Sequence, residues 1–153
     1  RRQLQPELPE RVTGDPSRIS EILIHIVSNA LKYVDSGAIT LEVEYSRPSL
    51  IFRVRDTGIG LHPKQQERLF DEFFRAGDPG MSPTKGTGIG LSITRKLIEL
   101  LGGKIALTSS PGKGTTFTIS VPVEEEATEG GSPEDRRNVS LLASRSISPT
   151  TLR

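Results

Sequence analysis

The order of the periodic segments is the feature that most limits how this chain can fold. Apolar residues recur at helical spacing and then alternate along two short segments, and this order occurs twice. Few residues separate the two members of each alternating pair, which predicts antiparallel hairpins. Helices interleaved with antiparallel strand pairs predict an α/β (α+β) fold, a two-layer sandwich of sheet and helices. The segments are 15–35 (helical), 38–45 and 50–56 (alternating), 88–101 (helical), and 104–109 and 115–121 (alternating).

Both long helices have an apolar and a polar side. Asp15-Pro16 is a typical N-cap followed by a first helical residue, and Gly102-Gly103 is a typical stop. A shorter helix is expected over 63–70. The apolar stripe of the first helix is predicted to comprise Ile19, Leu23, Ile26, Val27, Ala30 and Val34. That of the second long helix is predicted to comprise Ile89, Ile93, Leu97, Leu100 and Leu101.

The composition changes after Val123. The following residues are rich in Glu, Gly, Ser and Pro and include no aromatic residue, a composition that cannot repay the entropy cost of ordering the backbone. We therefore expect one domain over 1–123 and a disordered tail or linker over 124–153. The chain starts at Arg1 and not at Met, which suggests a fragment of a larger protein.

Charge and cysteine content exclude several functional classes. Lys and Arg number 20 against 19 Asp and Glu, a net charge of +1, so no overall field attracts nucleic acid. No cysteine is present, which excludes thiolate metal sites and cysteine nucleophiles. No apolar run approaches the roughly 18 residues of a membrane span. We expect a cytoplasmic location and no membrane contact by this fragment, whether or not its parent protein is membrane-anchored.

A carboxylate followed by two glycines lies at the end of the second predicted strand. Asp56 can accept a hydrogen bond from an exocyclic amine, and Gly58 and Gly60 would let a planar ligand approach the backbone. An ordinary turn initiated by Asp56 is the alternative interpretation.

A second glycine cluster opens the second long helix. Exposed amides at a helix N-terminus form a site for phosphate. The pattern is not a dinucleotide-binding fingerprint, which needs glycine at position 91, and it lacks the Gly-Lys-Ser/Thr of a P-loop. A flexible loop with helix-packing glycines is the alternative. The cluster comprises Gly86, Thr87, Gly88, Ile89, Gly90 and Leu91.

The polar side of the first helix supplies further candidates. An amide oxygen of Asn29 suits Mg²⁺, the Lys32 ammonium can meet a phosphate, and the Tyr33 ring can stack on a base. His25 lies one turn before Asn29, so both can face one ligand. A solvated helix face is the alternative.

Three of the five phenylalanines fall within 70–74 and suggest an aromatic anchor, although core packing alone would also explain them. Arg75 follows, and the Gly- and Pro-containing segment 76–85 has the composition of a lid.

In order and spacing these features resemble the catalytic and ATP-binding domain of sensor histidine kinases, in the wider family of gyrase, Hsp90 and MutL ATPases. The resemblance covers residues 8–123 and implies a Bergerat-type fold with a mixed, largely antiparallel sheet, ATP and Mg²⁺ as cofactors, and Asn29 as metal ligand. It also implies that Lys32 and Arg75 contact the phosphates, that residues 86–90 surround the triphosphate, and that Tyr33 lies along the adenine. Asp56 would accept the adenine amine, and Thr115 would support the adenine through water.

The resemblance implies a kinase that transfers the γ-phosphoryl group to a histidine on a dimerisation domain outside this chain, with a response regulator receiver domain as a further partner. Three departures stand beside it: no phosphoacceptor is present, the first strand is missing or short, and His25 occupies a position where these kinases usually have Asn and the ATPases have Glu. We expect His25 to bind a phosphate oxygen and not to act as a base. A nucleotide-sensing module and a gyrase- or Hsp90-like ATPase are the alternatives.

Overall fold

The computed structural model describes residues 2–4, 8–34, 37–74 and 88–125. Asp15 caps the first helix as predicted, because its Oδ1 accepts a hydrogen bond from the Arg18 amide at 2.9 Å. The elements are β1 (Arg2–Leu4), β2 (Val12–Thr13), α1 (Pro16–Tyr33), β3 (Ile39–Ser46), β4 (Ser49–Asp56), α2 (Pro63–Arg68), α3 (Gly90–Leu100), β5 (Lys104–Ser110), β6 (Gly114–Pro122) and β7 (Glu124–Glu125).

Five strands form one sheet in the order β1-β3-β4-β6-β5. The three-residue strand β1 runs parallel to β3, and every other neighbouring pair in this sheet is antiparallel. Strands β2 and β7 form a separate antiparallel pair. The helices α1 and α3 pack against each other and against the large sheet. The predicted two-layer sandwich with a mixed, largely antiparallel sheet is confirmed.

The core lies between the sheet and the two long helices. Because side chains alternate along a strand, Phe52, Val54 and Asp56 of β4 lie on one face of the sheet, and all three are buried. The buried hydrophobic cluster comprises Ile22, Ile26, Phe52, Val54, Ile98, Phe117, Ile119 and Val121. The strand that supplies the centre of the core therefore ends at a carboxylate on the same face.

The buried residues of the two long helices differ in part from the predicted apolar stripes. In α3 the side chains of Ile93 and Leu100 are 42% and 75% exposed, so their assignment to the apolar stripe was wrong. Thr94 and Ile98 are fully buried there instead. These two residues are four positions apart and share the face of α3 that contacts the core. In α1 the buried Ile22 was not predicted.

The last described strand includes residues that the composition had placed in the tail. Glu125 of β7 pairs with Val12, and its carboxylate accepts a hydrogen bond from the Arg47 guanidinium. That hydrogen bond raises the pKa of Arg47 above its ordinary value. Residues 126–153 lie outside the described part of the chain. Among the residues that the structure describes, no helix combines the length and hydropathy needed to cross a bilayer.

Candidate functional site

Asp56 is buried, with only 5% of its surface exposed, at the end of the central strand β4. Its Oδ1 accepts hydrogen bonds from the Gly58 amide at 2.8 Å and from the Thr115 amide at 3.2 Å. Both bonds go to the same oxygen, and within the described residues Oδ2 accepts none. The backbone therefore fixes the orientation of the carboxylate and leaves one oxygen for a ligand.

Thr115 belongs to a network of hydroxyl and amide groups beside Asp56. The Leu61 amide donates to Ser109 Oγ at 2.9 Å, and Ser109 Oγ donates to the Gly114 carbonyl at 3.0 Å. Ser109 has only one hydroxyl hydrogen, so the Thr115 hydroxyl, 3.0 Å away, donates to Ser109. The lone pairs of the Thr115 oxygen then remain available to a ligand or a water.

The first glycine box, formed by Gly58 and Gly60 after Asp56, packs closely against other backbone segments. A β carbon on Gly58 would lie 2.5 Å from the Tyr33 carbonyl oxygen, and one on Gly60 would lie 1.9 Å from the Ser110 carbonyl oxygen. Both distances are far below a van der Waals contact, so only glycine fits at either position. These glycines place the loop after Asp56 between the end of α1 and the turn that joins β5 to β6.

The polar side of α1 carries four of the predicted residues: His25, Asn29, Lys32 and Tyr33. All four are partly buried. Asn29 and Lys32 lie in the last turns of α1. The helix ends at Tyr33, whose carbonyl lies against Gly58 of the first glycine box. Among the described residues, no hydrogen bond forms with the side-chain amide of Asn29. That amide is thus available to a ligand in the middle of a helix, where Asn is a modest helix former.

His25 contacts the second long helix. Its Nδ1 lies 3.1 Å from Thr94 Oγ1, and Thr94 Oγ1 donates to the Gly90 carbonyl at 2.8 Å. The contact connects α1 to the first turn of α3, where the second glycine cluster ends.

The described end of the second glycine cluster lies against the phenylalanine-rich segment. The Phe73 amide donates to the Gly88 carbonyl at 3.1 Å, and a β carbon on Gly88 would lie 2.9 Å from the Phe73 carbonyl carbon. Lys96 of α3 also donates to Glu72 at 2.7 Å. Phe73 is 71% exposed, so the predicted aromatic anchor was wrong for this side chain, whereas Phe70 packs against the core.

The N-terminus of α3 has no side-chain cap, since Ile89 at the N-cap position makes no side-chain hydrogen bond. The amides of Gly90 and Leu91 belong to its first turn, whose N–H groups have no partner within the helix. Such a terminus favours an anion. Arg75, the predicted lid 76–85, Gly86 and Thr87 lie outside the described residues.

Sequence reasoning missed two residues that the structure brings to the site. Thr94 shares a helix face with Ile98, and Ser109 follows Leu107 at the alternation of β5. Each is a hydroxyl residue at a position where the local period places an apolar side chain. A polar residue on an apolar stripe was the signal that could have identified both.

Comparison with known families matches residues 14–125 to the histidine kinase-, DNA gyrase B- and HSP90-like ATPase family. The chain belongs to this family. The match includes every described candidate residue, from His25 through Thr115.

Relatives narrow the position within the family. Sensor histidine kinase RcsC of Escherichia coli (strain K12) is 41% identical over 120 residues, which cover 78% of this chain and 13% of RcsC. The catalytic domain of histidine kinase ThkA is 32% identical with a TM-score of 0.65, covering 79% of this chain and 77% of that one. Full-length ShkA in complex with AMPPNP is 27% identical with a TM-score of 0.72, covering 83% of this chain and 26% of ShkA.

This chain is therefore an ATP-binding catalytic domain of the sensor histidine kinase type, which confirms the predicted family, fold and domain function. It spans about an eighth of the length of RcsC.

Proposed function

We propose that this domain binds ATP with Mg²⁺ and transfers the γ-phosphoryl group to a histidine on a dimerisation domain outside this chain. The buried Asp56, with one oxygen held by backbone amides, is the observation that carries the proposal. A carboxylate oxygen so oriented accepts a hydrogen bond from the exocyclic amine of adenine. It repels the carbonyl oxygen that guanine carries at the equivalent position, so the site selects ATP over GTP.

The other described residues divide the remaining tasks of nucleotide binding. Thr115 offers oxygen lone pairs beside Asp56 for a water that reaches the adenine, and Tyr33 lies where α1 meets the first glycine box. The uncapped first turn of α3, with Gly88, Ile89, Gly90 and Leu91, supplies amides for phosphate oxygens. Lys32 adds a positive charge on the side of α1 that carries Asn29. We propose that Arg75, Gly86 and Thr87 also contact the phosphates.

Mg²⁺ fits the donor available on α1. Asn29 supplies a neutral oxygen whose amide has no hydrogen-bond partner among the described residues, and Mg²⁺ prefers oxygen ligands while keeping several of its waters. In the described part of the chain, no cluster of three or more His, Asp and Glu side chains could hold a metal by itself. Mg²⁺ would therefore have one protein ligand, Asn29, and would take its other ligands from phosphate oxygens and water. Bound there, Mg²⁺ would neutralise charge on the phosphates.

The transfer forms a nitrogen–phosphorus bond to the acceptor imidazole and breaks the bond from the γ-phosphorus to the oxygen that bridges it to the β-phosphate. The bare nitrogen of the neutral imidazole attacks, and ADP leaves with that bridging oxygen. The phosphorylated ring then loses the proton of its other nitrogen to solvent. Phosphoryl transfer depends mainly on positioning and charge neutralisation. This domain accordingly needs no nucleophile or general base of its own, and its residues hold and orient the nucleotide.

The test is incubation of the chain with γ-labelled ATP, with and without a separately produced dimerisation domain of a sensor histidine kinase. We expect acid-labile label on the added domain and none on this chain, whose two histidines, His25 and His62, are not expected acceptors. A receiver domain added next should take up the label.

Other outcomes of this experiment would contradict the proposal. Binding of ATP without transfer would indicate a nucleotide-sensing module, and release of inorganic phosphate at a comparable rate without the added domain would indicate an ATPase of the gyrase or Hsp90 kind. Asp56→Asn is the matched control, because it keeps the Oδ1 acceptor for the two backbone amides and should weaken transfer together with ATP binding.

A further inference from the structure

We propose that His25 is a positioning residue: its Nδ1–H group holds Thr94, and through Thr94 it fixes the first turn of α3 relative to Asn29. The residues involved lie on the side of the site that is proposed to bind phosphate. Only the nucleotide-affinity test described below rests on the proposed function. His25 acts through Thr94 and does not touch the nucleotide, which replaces the expectation of a bond from His25 to a phosphate oxygen.

The number of hydrogens on each group shows which one donates in the contact between His25 and Thr94. Thr94 has one hydroxyl hydrogen, and the Gly90 carbonyl, 2.8 Å from Thr94 Oγ1, can only accept. The hydrogen therefore goes to Gly90, and Thr94 Oγ1 accepts from His25 Nδ1 at 3.1 Å. An imidazolium also carries a hydrogen on Nδ1, so the contact persists in both charge states of the ring. In the neutral ring, the hydrogen is on Nδ1 and Nε2 is bare.

The hydrogen bond between His25 and Thr94 is directional, unlike the apolar packing around it. Ile26 of α1 and Ile98 of α3 belong to one hydrophobic cluster, but apolar contacts are not directional. The hydrogen bond from His25 joins positions 69 residues apart and fixes the helices at one register. Thr94 is 0% exposed, so water cannot replace the imidazole as its partner without opening the core.

The position of this bond gives it a functional consequence. Asn29 lies one turn after His25 on the same side of α1, and Gly90 is the first residue of α3. Ile89 provides no side-chain cap, and the start of α3 is held by three hydrogen bonds: the Phe73 amide to the Gly88 carbonyl, the Ser92 hydroxyl to the Ile89 carbonyl, and the Thr94 hydroxyl to the Gly90 carbonyl. Of the donors, Thr94 is the one that also contacts α1. The His25 bond thus sets the separation between the residue proposed to bind Mg²⁺ and the amides proposed to bind phosphate.

Substitutions of His25 can separate the two ring nitrogens. The amide nitrogen of Asn occupies the place of Nδ1, whereas the amide of Gln reaches the place of Nε2 and leaves no donor at the δ position. His25→Asn should keep the contact with Thr94, and His25→Gln should lose it. Thr94→Val removes the acceptor, and Thr94→Ser retains it as the control.

Two measurements on the 153-residue chain test the proposal. Imidazole nitrogen NMR of the nucleotide-free chain reports the ring hydrogen, which we expect on Nδ1 in wild type and in Thr94→Ser but redistributed in Thr94→Val. Amide hydrogen exchange at Ile93, whose N–H donates to the Ile89 carbonyl at 3.1 Å, should accelerate roughly fivefold to tenfold in His25→Gln and in Thr94→Val, the loss expected for one hydrogen bond. Neither measurement requires nucleotide.

Nucleotide affinity provides the third readout, with AMPPNP and Mg²⁺ as the probe. We expect His25→Asn and Thr94→Ser within about twofold of wild type, and His25→Gln and Thr94→Val weakened roughly fivefold to tenfold. The double variant His25→Gln/Thr94→Val should be no weaker than either single one.

Wild-type affinity in His25→Gln with weak binding in His25→Asn would overturn the proposal, because Nε2 would then contact the nucleotide. Unchanged exchange in His25→Gln would overturn it even if Thr94→Val fails to fold. Absence of AMPPNP binding by the wild-type chain would instead contradict the proposed function and leave the NMR and exchange tests intact.

Discussion

Replacing Gly114 by alanine should damage both the fold and the nucleotide site, and Gly112 provides a matched control. Both glycines have positive φ, 85° and 73° respectively. A β carbon on Gly114 would lie 2.0 Å from the Asp56 carbonyl oxygen and 2.9 Å from the Thr57 α carbon, whereas one on Gly112 would meet no atom within 4 Å. The two substitutions therefore share the backbone cost and differ only in the overlap.

The backbone cost of a left-handed residue other than glycine is about 1 to 2 kcal/mol, and Gly112→Ala should lose about that much stability. Gly114→Ala adds the cost of overpacking against backbone, typically about 1 to 3 kcal/mol. The backbone at Asp56 belongs to the central strand β4 and cannot move without disturbing its pairing with β3 and β6. We therefore expect a total loss of about 2 to 5 kcal/mol for Gly114→Ala.

Urea unfolding followed by circular dichroism measures both losses, with unchanged m-values as the criterion of two-state behaviour. Calorimetry with ATP should show weaker binding for Gly114→Ala, because relief of the overlap displaces Asp56, and unchanged binding for Gly112→Ala. Equal stability losses in the two variants would show that the approach of β6 to Asp56 is easily relieved, and the reasoning would be refuted.

Four further outcomes are expected. Asp56→Asn keeps an Oδ1 acceptor but puts an amino group in place of Oδ2, so calorimetry should show at least about tenfold weaker ATP binding and a smaller preference over GTP. Asn29→Ala should abolish the Mg²⁺ dependence of ATP affinity, and equal wild-type affinity with and without Mg²⁺ would contradict the assignment. Truncation after Glu125 should leave the melting temperature unchanged, whereas truncation after residue 123 removes β7 and should lower it. The hydrogen bond with Lys96 lowers the pKa of Glu72 and raises that of Lys96. The stability from Glu72 is lost only as pH falls through its lowered pKa, and that from Lys96 only as pH rises through its raised one. The difference in melting temperature between wild type and Glu72→Gln should thus stay constant between about pH 6 and 9 and shrink in more acidic solution.

Most of the fold could be predicted because local signals agree with one another. The Asp15-Pro16 cap, the alternating strands and the Gly102-Gly103 stop of the second long helix all place element boundaries within a few residues of those observed. The exposed Ile93 and Leu100 could not be predicted from periodicity. A helical stripe can be drawn through either of two adjacent apolar faces, and only the packing against α1 and β5 decides which face is buried.

For the site, the sequence supplied residue types but not their connections. Asp56 was identifiable as a carboxylate at a strand end, yet the pairing of its Oδ1 with the Thr115 amide spans 59 positions and depends on β6 lying beside β4. The contact of His25 with Thr94 depends in the same way on the crossing of two helices. Such contacts follow from topology, which a one-dimensional pattern does not specify.

The hydrogen bond between Phe73 and Gly88 has a consequence for how this domain tolerates variation. It brings together the residues that flank the stretch 75–87. The described sheet and helices are therefore connected to each other without that stretch. The entropic cost of joining two fixed points by a chain rises by only about 0.6 kcal/mol when the number of connecting residues doubles. Insertions or deletions there should accordingly leave the stability of the sheet and helices almost unchanged. The described sheet and helices therefore place little constraint on the length of this stretch, whereas the proposed contacts of Arg75, Gly86 and Thr87 with phosphate do constrain it.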